Sequence, residues 1–176
     1  MNITDLMELL VKRTPSEVTL FLHEADDGTY IATPVLAADG VQDSDAKTTT
    51  TATVYITMFL ATLTGPGDVI QRSIRGLYFN LEPYLKAAST ATADVSMKIE
   101  AKNHDSADSA YVTILAETTY ANINTTYLSK PFSGHIRPQA NLNKFPIDLK
   151  ISIKADEANE GTGKLRNTSF VTIRFK

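Results

Sequence analysis

The sequence predicts an all-β fold, an antiparallel β-sandwich of jelly-roll-like type with a short N-terminal helix. Three observations predict it. Two segments alternate apolar and polar residues without a break. In 93–102, Val95, Met97, Ile99 and Ala101 oppose Asp94, Ser96, Lys98 and Glu100; in 147–155, Ile147, Leu149, Ile151 and Ile153 oppose Asp148, Lys150, Ser152 and Lys154. A period of two with one dry and one wet face is what an antiparallel sandwich strand requires. Turn-forming clusters such as Asp26-Asp27-Gly28 and Gly65-Pro66-Gly67-Asp68 punctuate the chain. No helical period appears after residue 15, and strands without crossover helices pair antiparallel.

The elements follow in order. Residues 1–15 form a helical arm, with Thr4 or Asp5 as N-cap, Leu6, Leu9 and Leu10 at helical spacing, Lys12 and Arg13 in the last turn and Pro15 as the stop. A helix of about ten residues does not persist alone in water. Its leucines therefore dock, either on their own domain or on a neighbouring subunit, and Leu6, Leu9 and Leu10 are the candidate assembly interface. The sandwich domain covers 16–176. Its first strand is 17–23, where Val18, Leu20 and Leu22 alternate with Thr19, Phe21 and His23, and a short strand 29–33 follows. Residues 34–51, with Pro34, Gly40 and a run of threonines, read as a long surface loop. Residues 52–64, dense in β-branched and aromatic types, read as a long strand buried on both faces or bent across two sheets. In 69–81, one or two strands, Gly76 marks a bulge. Residues 82–92 read as a connection. Strands are expected at 93–102, 110–118, near 126–136, at 147–155 and at 168–176, and the Gly-rich segment before the last is expected to be an exposed loop.

Composition narrows the function classes. The 176 residues fit one domain with an arm, and 43% apolar with 21% charged residues is ordinary for a globular chain. The net charge of -3 supplies no basic excess to neutralise a phosphate backbone, which argues against a nucleic-acid partner. The absence of cysteine rules out disulfides, thiolate zinc sites and a cysteine nucleophile. The opening MNITDLMELLVKRTP puts acids before and bases after its apolar residues, the reverse of a secretion signal. No apolar run approaches the ~18 residues of a membrane span, so no membrane partner is expected.

Chemistry-bearing motifs are few. His23, His104 and His135 lack the HxH or HExxH spacing of a metal centre. The acidic loops Asp39–Asp45 and Asn103–Asp108 have oxygen ligands a calcium ion would accept, but without EF-hand spacing they read as solvated turns. There is no GxSxG elbow and no phosphate-binding glycine loop. The expectation is a protein that is not an enzyme, with no cofactor and no metal. Tyr84, Tyr120 and Tyr127 lie outside the cleanest alternation; they either cap the ends of the core or face a ligand, on which sugars would stack.

The arm, the threonine run Thr48–Thr51, the strands ADVSMKIEAK and IDLKISIKA and the final strand SFVTIRFK resemble small β-sandwich structural proteins of tailed-virus particles, of decoration, head-fibre or tail-associated type. The resemblance covers residues 16–176 in style and rests on no diagnostic motif. It implies a virion protein assembled in the host cytoplasm, a homo-oligomer (a trimer or other closed ring) that contacts other virion proteins. The competing expectation is a carbohydrate- or receptor-binding sandwich with a glycan partner.

Overall fold

The computed structural model describes residues 16–24, 30–33, 44, 46–64, 72–88 and 92–176. The arm with Leu6, Leu9 and Leu10 lies outside the described residues, as do most of the acidic loop 39–45 and the turns at 26–28 and 65–68. The strands fall in three sheets. The first contains β1 (Glu17–Glu24), β2 (Tyr30–Thr33), β5 (Arg72–Leu81), β10 (Phe132–Ile136) and β14 (Phe170–Phe175), in the order β10-β5-β14-β1-β2, with the short β11 (Lys144–Phe145) on β5. The second holds β4 (Ile56–Leu63), β7 (Ala93–Asn103), β8 (Val112–Ile123) and β12 (Ile147–Ala155), in the order β4-β12-β7-β8. The third holds β3 (Lys47–Thr48), β6 (Pro83–Ala87), β9 (Leu128–Ser129) and β13 (Gly161–Leu165), in the order β3-β13-β6-β9. All the pairings are antiparallel.

The third sheet continues the first. β5 passes through Glu82 into β6, β9 through Lys130 and Pro131 into β10, and β13 through 166–169 into β14. The two sheets are thus one layer creased at Glu82, which faces the second sheet. Among the described residues, counted through the crease, there are eight long strands, running sixth, third, eighth, first in the creased layer and second, seventh, fourth, fifth in the other. This is the strand order of a jelly roll, two Greek keys wrapped into a sandwich.

Between the layers lies one apolar cluster. Leu20, Leu77, Phe79, Val171 and Ile173 of the creased layer meet Phe59, Met97, Ile99, Ile151 and Ile153 of the second sheet, nearly all without solvent contact. The two alternating segments occupy the middle of that sheet. Ile151 stands between Ile99 and Phe59, and the wet faces of β7 and β12 are paired Asp148 to Lys102 and Lys150 to Glu100.

At Glu82 the crease is held by a fan of donors onto one carboxylate. Arg166 Nη1 reaches both oxygens at 3.1 Å, and the Tyr84, Ser129 and Thr168 hydroxyls donate at 3.1, 3.2 and 3.4 Å. The Glu82 amide donates to Ser169 Oγ at 2.9 Å. These contacts occupy the place where the layer's ladder is interrupted by the extra residues of 166–169.

Several expectations are corrected. Residues 52–64 are not one strand buried on both faces: residues 52–55 precede the strand, Thr53 is left-handed at φ 58, and β4 exposes Thr57 and Leu60. Met58 bulges where the register shifts opposite Ile151 and Ser152, which sends Met58 and Phe59 both inward. Residues 82–92 contain β6, with Pro83 as first strand residue, where its missing N–H costs least. The expected loop before the last strand contains β13, buried at Gly161, Thr162, Gly163 and Leu165. A Cβ at Gly163 would come within 2.7 Å of Met58 Sδ and 3.0 Å of Ile153 and Leu85, so glycine is what lets this strand approach the second sheet. Within the expected loop 34–51, β3 pairs with β13 and Ser44 and Thr49 are buried, their hydroxyl oxygens accepting from the Leu165 and Gly161 amides at 2.7 and 3.1 Å. The bulge expected at Gly76 is present: Arg174 pairs with Gly76 but Phe175 with Ile74.

Candidate functional site

Two outer faces concentrate polar chemistry. On the second sheet, strand alternation turns the even-numbered residues of β7 and β12 outward, and the antiparallel register sets opposite charges side by side. Lys102, 4% exposed, is the most enclosed cation among the described residues. Its Nζ lies 3.2 Å from Asp148 Oδ2, 3.4 Å from Asp108 Oδ1 and 2.6 Å from the Ser106 carbonyl. Asp148 also accepts from the Thr62 hydroxyl at 2.8 Å and lies 2.8 Å from His104 Nδ1. Burial alone would raise the Asp148 carboxyl, but hydrogen bonds from His104, Thr62 and Lys102 outweigh it and hold it below the usual carboxylate range. Glu100 is likewise held low against burial by Lys98 and Lys150, at 3.0 and 3.2 Å. Tyr55 donates to Glu117 at 2.6 Å and sits beneath Lys98 and Lys154; burial first, then Glu117, drives its phenol well up. Every charge named here has a partner of opposite sign, so this face is a closed ionic lattice.

The outer face of the first sheet differs. β10, β5, β14 and β1 align there in rows. One row is His135, Tyr78, Thr172 and Thr19; the next is Gly76, Arg174 and Glu17, with Arg137 just beyond β10 at the same level. The bulge turns Arg75 to this side beside Gly76. The result is an open groove of about 700 Å³ lined by Arg75, Gly76, Tyr78, His135, Arg137, Pro138, Arg174 and Lys176. Tyr78 and His135 stack with centroids 4.3 Å apart and planes 16° apart, and the Arg174 guanidinium lies over the Tyr78 ring at 4.6 Å. Among the described residues Glu17 is the one carboxylate side chain at the groove, 2.6 Å from Arg174 Nε. A Cβ on Gly76 would stand 3.1 Å from His135 Nε2, so the glycine makes room for the stack.

Tyr84 and Tyr127, two of the candidate ligand-facing aromatics, come together at the creased layer's third sheet. Lys86 and Lys164 lie over the Tyr127 ring at 4.8 and 5.1 Å, and Lys164 pairs across the strand with Tyr84. Tyr120 is elsewhere, on β8, packed against the core edge with Lys130 over its ring at 4.9 Å. The three histidines stay apart. His23 is buried with Nδ1 unpaired among the described residues, and burial lowers its pKa. His104 joins Asp148, and His135 joins Tyr78. The loop Asn103–Asp108 borders a hollow of about 240 Å³ with Lys144, Phe145 and Pro146. There Asn103 Oδ1 accepts the amides of Asn143 and Lys144, each at 2.9 Å, which is a turn-stitching role. Among the described residues no three His, Asp or Glu side chains converge as metal ligands, and no helix is long and apolar enough to cross a membrane. Sequence reasoning missed the groove, whose cations are scattered from Arg75 to Lys176 and come together only through strand register.

Fold and faces together define a jelly-roll sandwich with a paired ionic face and a cationic groove. No family model and no curated protein matches the sequence. Among solved structures, the chain is similar to the infectious bursal disease virus VP2 subviral particle, at 14% identity and a TM-score of 0.49 over 85% of this chain and 40% of that one. It is similar to infectious bursal disease virus Gx strain at 15% identity and 0.48, over 92% and 41%. It is also similar to Eiger TNF from S. frugiperda at 7% identity and 0.45, over 92% and 94%. The chain thus spans about two fifths of the viral chains it matches.

Proposed function

We propose that the chain is a non-enzymatic structural protein of a virus particle, of capsid-decoration or tail-associated type, working through self-assembly and contacts with other virion proteins. The observation that supports this reading is the strand order: eight strands in two Greek keys form the jelly roll that virus shells use, as do lectins. The step from fold to role is an analogy of architecture. The arm supplies the assembly contact: Leu6, Leu9 and Leu10 dock on a neighbouring subunit, while the sandwich, whose first described strand starts at Glu17, folds without them.

Light scattering and melting on the full chain and on a variant lacking residues 1–14 test this. The reading expects a closed oligomer for the full chain and a smaller species with little changed melting temperature for the truncated one. A full chain that stays monomeric at high concentration overturns it; unchanged mass with a large fall in melting temperature overturns the role of the arm.

A second reading, a carbohydrate- or receptor-binding sandwich, is favoured by one observation. Tyr84 on β6 pairs across the strand with Lys164, and Lys164 and Lys86 both lie over the ring of Tyr127, just before β9. Loss of glycan-array binding on Tyr127→Ala would support it, and an array without hits would remove it.

A further inference from the structure

We propose that the groove on the outer face of the first sheet is a binding site for an acidic glycan, one bearing sulfate or carboxylate groups. Four cationic side chains, Arg75, Arg137, Arg174 and Lys176, line it against one carboxylate at its rim, Glu17. Among the described residues no carboxylate neutralises Arg75, Arg137 or Lys176. That sets the groove apart from the second sheet, where each cation is matched. Unmatched like charges held around one hollow repel each other and lower the cost of receiving an anion. Three of the four are arginines, whose planar fork donates two parallel hydrogen bonds to a sulfate or carboxylate.

Shape narrows the ligand further. At about 700 Å³ the hollow lies in the range of small-molecule sites rather than of flat protein contacts. It is open to solvent, so a residue within a longer chain can reach it. Its floor is built on paired strands: Tyr78 and His135 stack across β5 and β10, with the Arg174 guanidinium over Tyr78. The Tyr78 ring has His135 stacked at 4.3 Å and Arg174 over it at 4.6 Å, so the ligand is recognised through its pendant anions, and the polar edge groups of the stack suit a sugar's hydroxyls. Arg174 is engaged within the protein, its Nε by Glu17 at 2.6 Å and its Nη1 by the Tyr78 hydroxyl at 3.2 Å, which leaves Arg75 and Arg137 as the groove's guanidiniums without a carboxylate partner among the described residues.

The test uses a size-defined sulfated heparin-type oligosaccharide, titrated calorimetrically into the full chain. Dextran of equal length, inorganic sulfate and a single-stranded oligonucleotide of equal charge serve as comparisons. Binding should be saturable, weaken with salt, and fall about tenfold or more in Arg75→Ala/Arg137→Ala, as expected from losing two charge-assisted contacts. The same double variant should keep the melting temperature, because both side chains are exposed. Lys86→Ala, on the other half of the creased layer, should bind as the unaltered chain does. Absence of binding, equal binding of the oligonucleotide, inorganic sulfate binding as tightly as the oligosaccharide, or equal loss in Lys86→Ala would each overturn the proposal. The readout is affinity at one chain, so its failure is separate from any failure of the assembly reading, which is measured as mass.

Discussion

Replacing Asp148 by Asn probes the most enclosed charge pair described in the molecule. Asp148 is the nearest carboxylate to Lys102, whose side chain is 6% exposed; the other, Asp108, is 94% exposed and 3.4 Å away. Removing one partner of a buried ion pair costs about 3–5 kcal/mol, because the remaining charge stays desolvated. Here two features reduce that. Asn retains an oxygen for the Thr62 hydroxyl, and the Ser106 carbonyl still accepts from Lys102 at 2.6 Å. The expected loss is about 2–3 kcal/mol, or roughly 5–10 °C in melting temperature for a chain of this size. Lys102→Met should cost a similar amount. The double variant Lys102→Met/Asp148→Asn should cost much less than the sum, with a coupling of about 1–2 kcal/mol. Urea unfolding of the four proteins measures the cycle. A loss under about 0.5 kcal/mol in Asp148→Asn, or strictly additive costs, would refute the argument that the pair acts as a buried unit.

Acid should destabilise the protein in two stages: first as pH falls below the ordinary imidazole pKa of about 6.5, because burial disfavours the charged form of His23 in the folded state, and then below about pH 4 through the carboxylates. Asp148 and Glu100 are held low in the folded state, so the stability they contribute is present above the unfolded carboxylate pKa and is lost as pH falls through the folded values. Thermal melts from pH 7 to 2 should show a steeper acid limb for the unaltered chain than for Asp148→Asn. Ile151→Asp, at a fully buried position between Ile99 and Phe59, should cost several kcal/mol and unfold most of the sample. Lys150→Ser, one residue away, should cost under about 1 kcal/mol, since it loses only a partly exposed contact to Glu100 and the stacking over Tyr111. Similar behaviour of the two in urea would mean the register is wrong. Gly163→Val should cost about 1–3 kcal/mol by overpacking against Met58, Ile153 and Leu85; an unchanged unfolding midpoint would show that the third sheet has room to move away.

Strands that carry their own alternation were legible in the sequence. β12 spans Ile147–Ala155 as the pattern predicts, and β7 extends the predicted 93–102 by one residue. Even part of the ionic face was implicit, because Lys98, Glu100 and Lys102 complement Asp148 and Lys150 only when the two strands run antiparallel. β13 was not legible. Gly161-Thr162-Gly163 has too little side chain to show a period, and its burial depends on Met58, about a hundred positions earlier. β6 was hidden by Pro83, which signals a break locally but is harmless at a strand start. β8 continues to Ile123 beyond its apolar run, since its pairing with β7 shifts register three times and alternation no longer marks it. The groove was illegible for a different reason. A formal charge of -3 averages over the surface, and nothing local connects Arg75 with Arg137 and Arg174.

The position of β14 has a consequence for synthesis. It lies between β5 and β1, and its contacts with β1 join residues as far apart as Glu17 and Arg174. While a ribosome is still making residues 82–169, β1 and β5 are both already synthesised and share no hydrogen bonds. The strand that joins them emerges last of those described. The half-built layer must therefore wait with two open edges, at elongation rates of about 5–20 residues per second. Such an order favours late, all-at-once closure over stepwise folding, and exposes the nascent chain to edge-to-edge pairing on crowded polysomes.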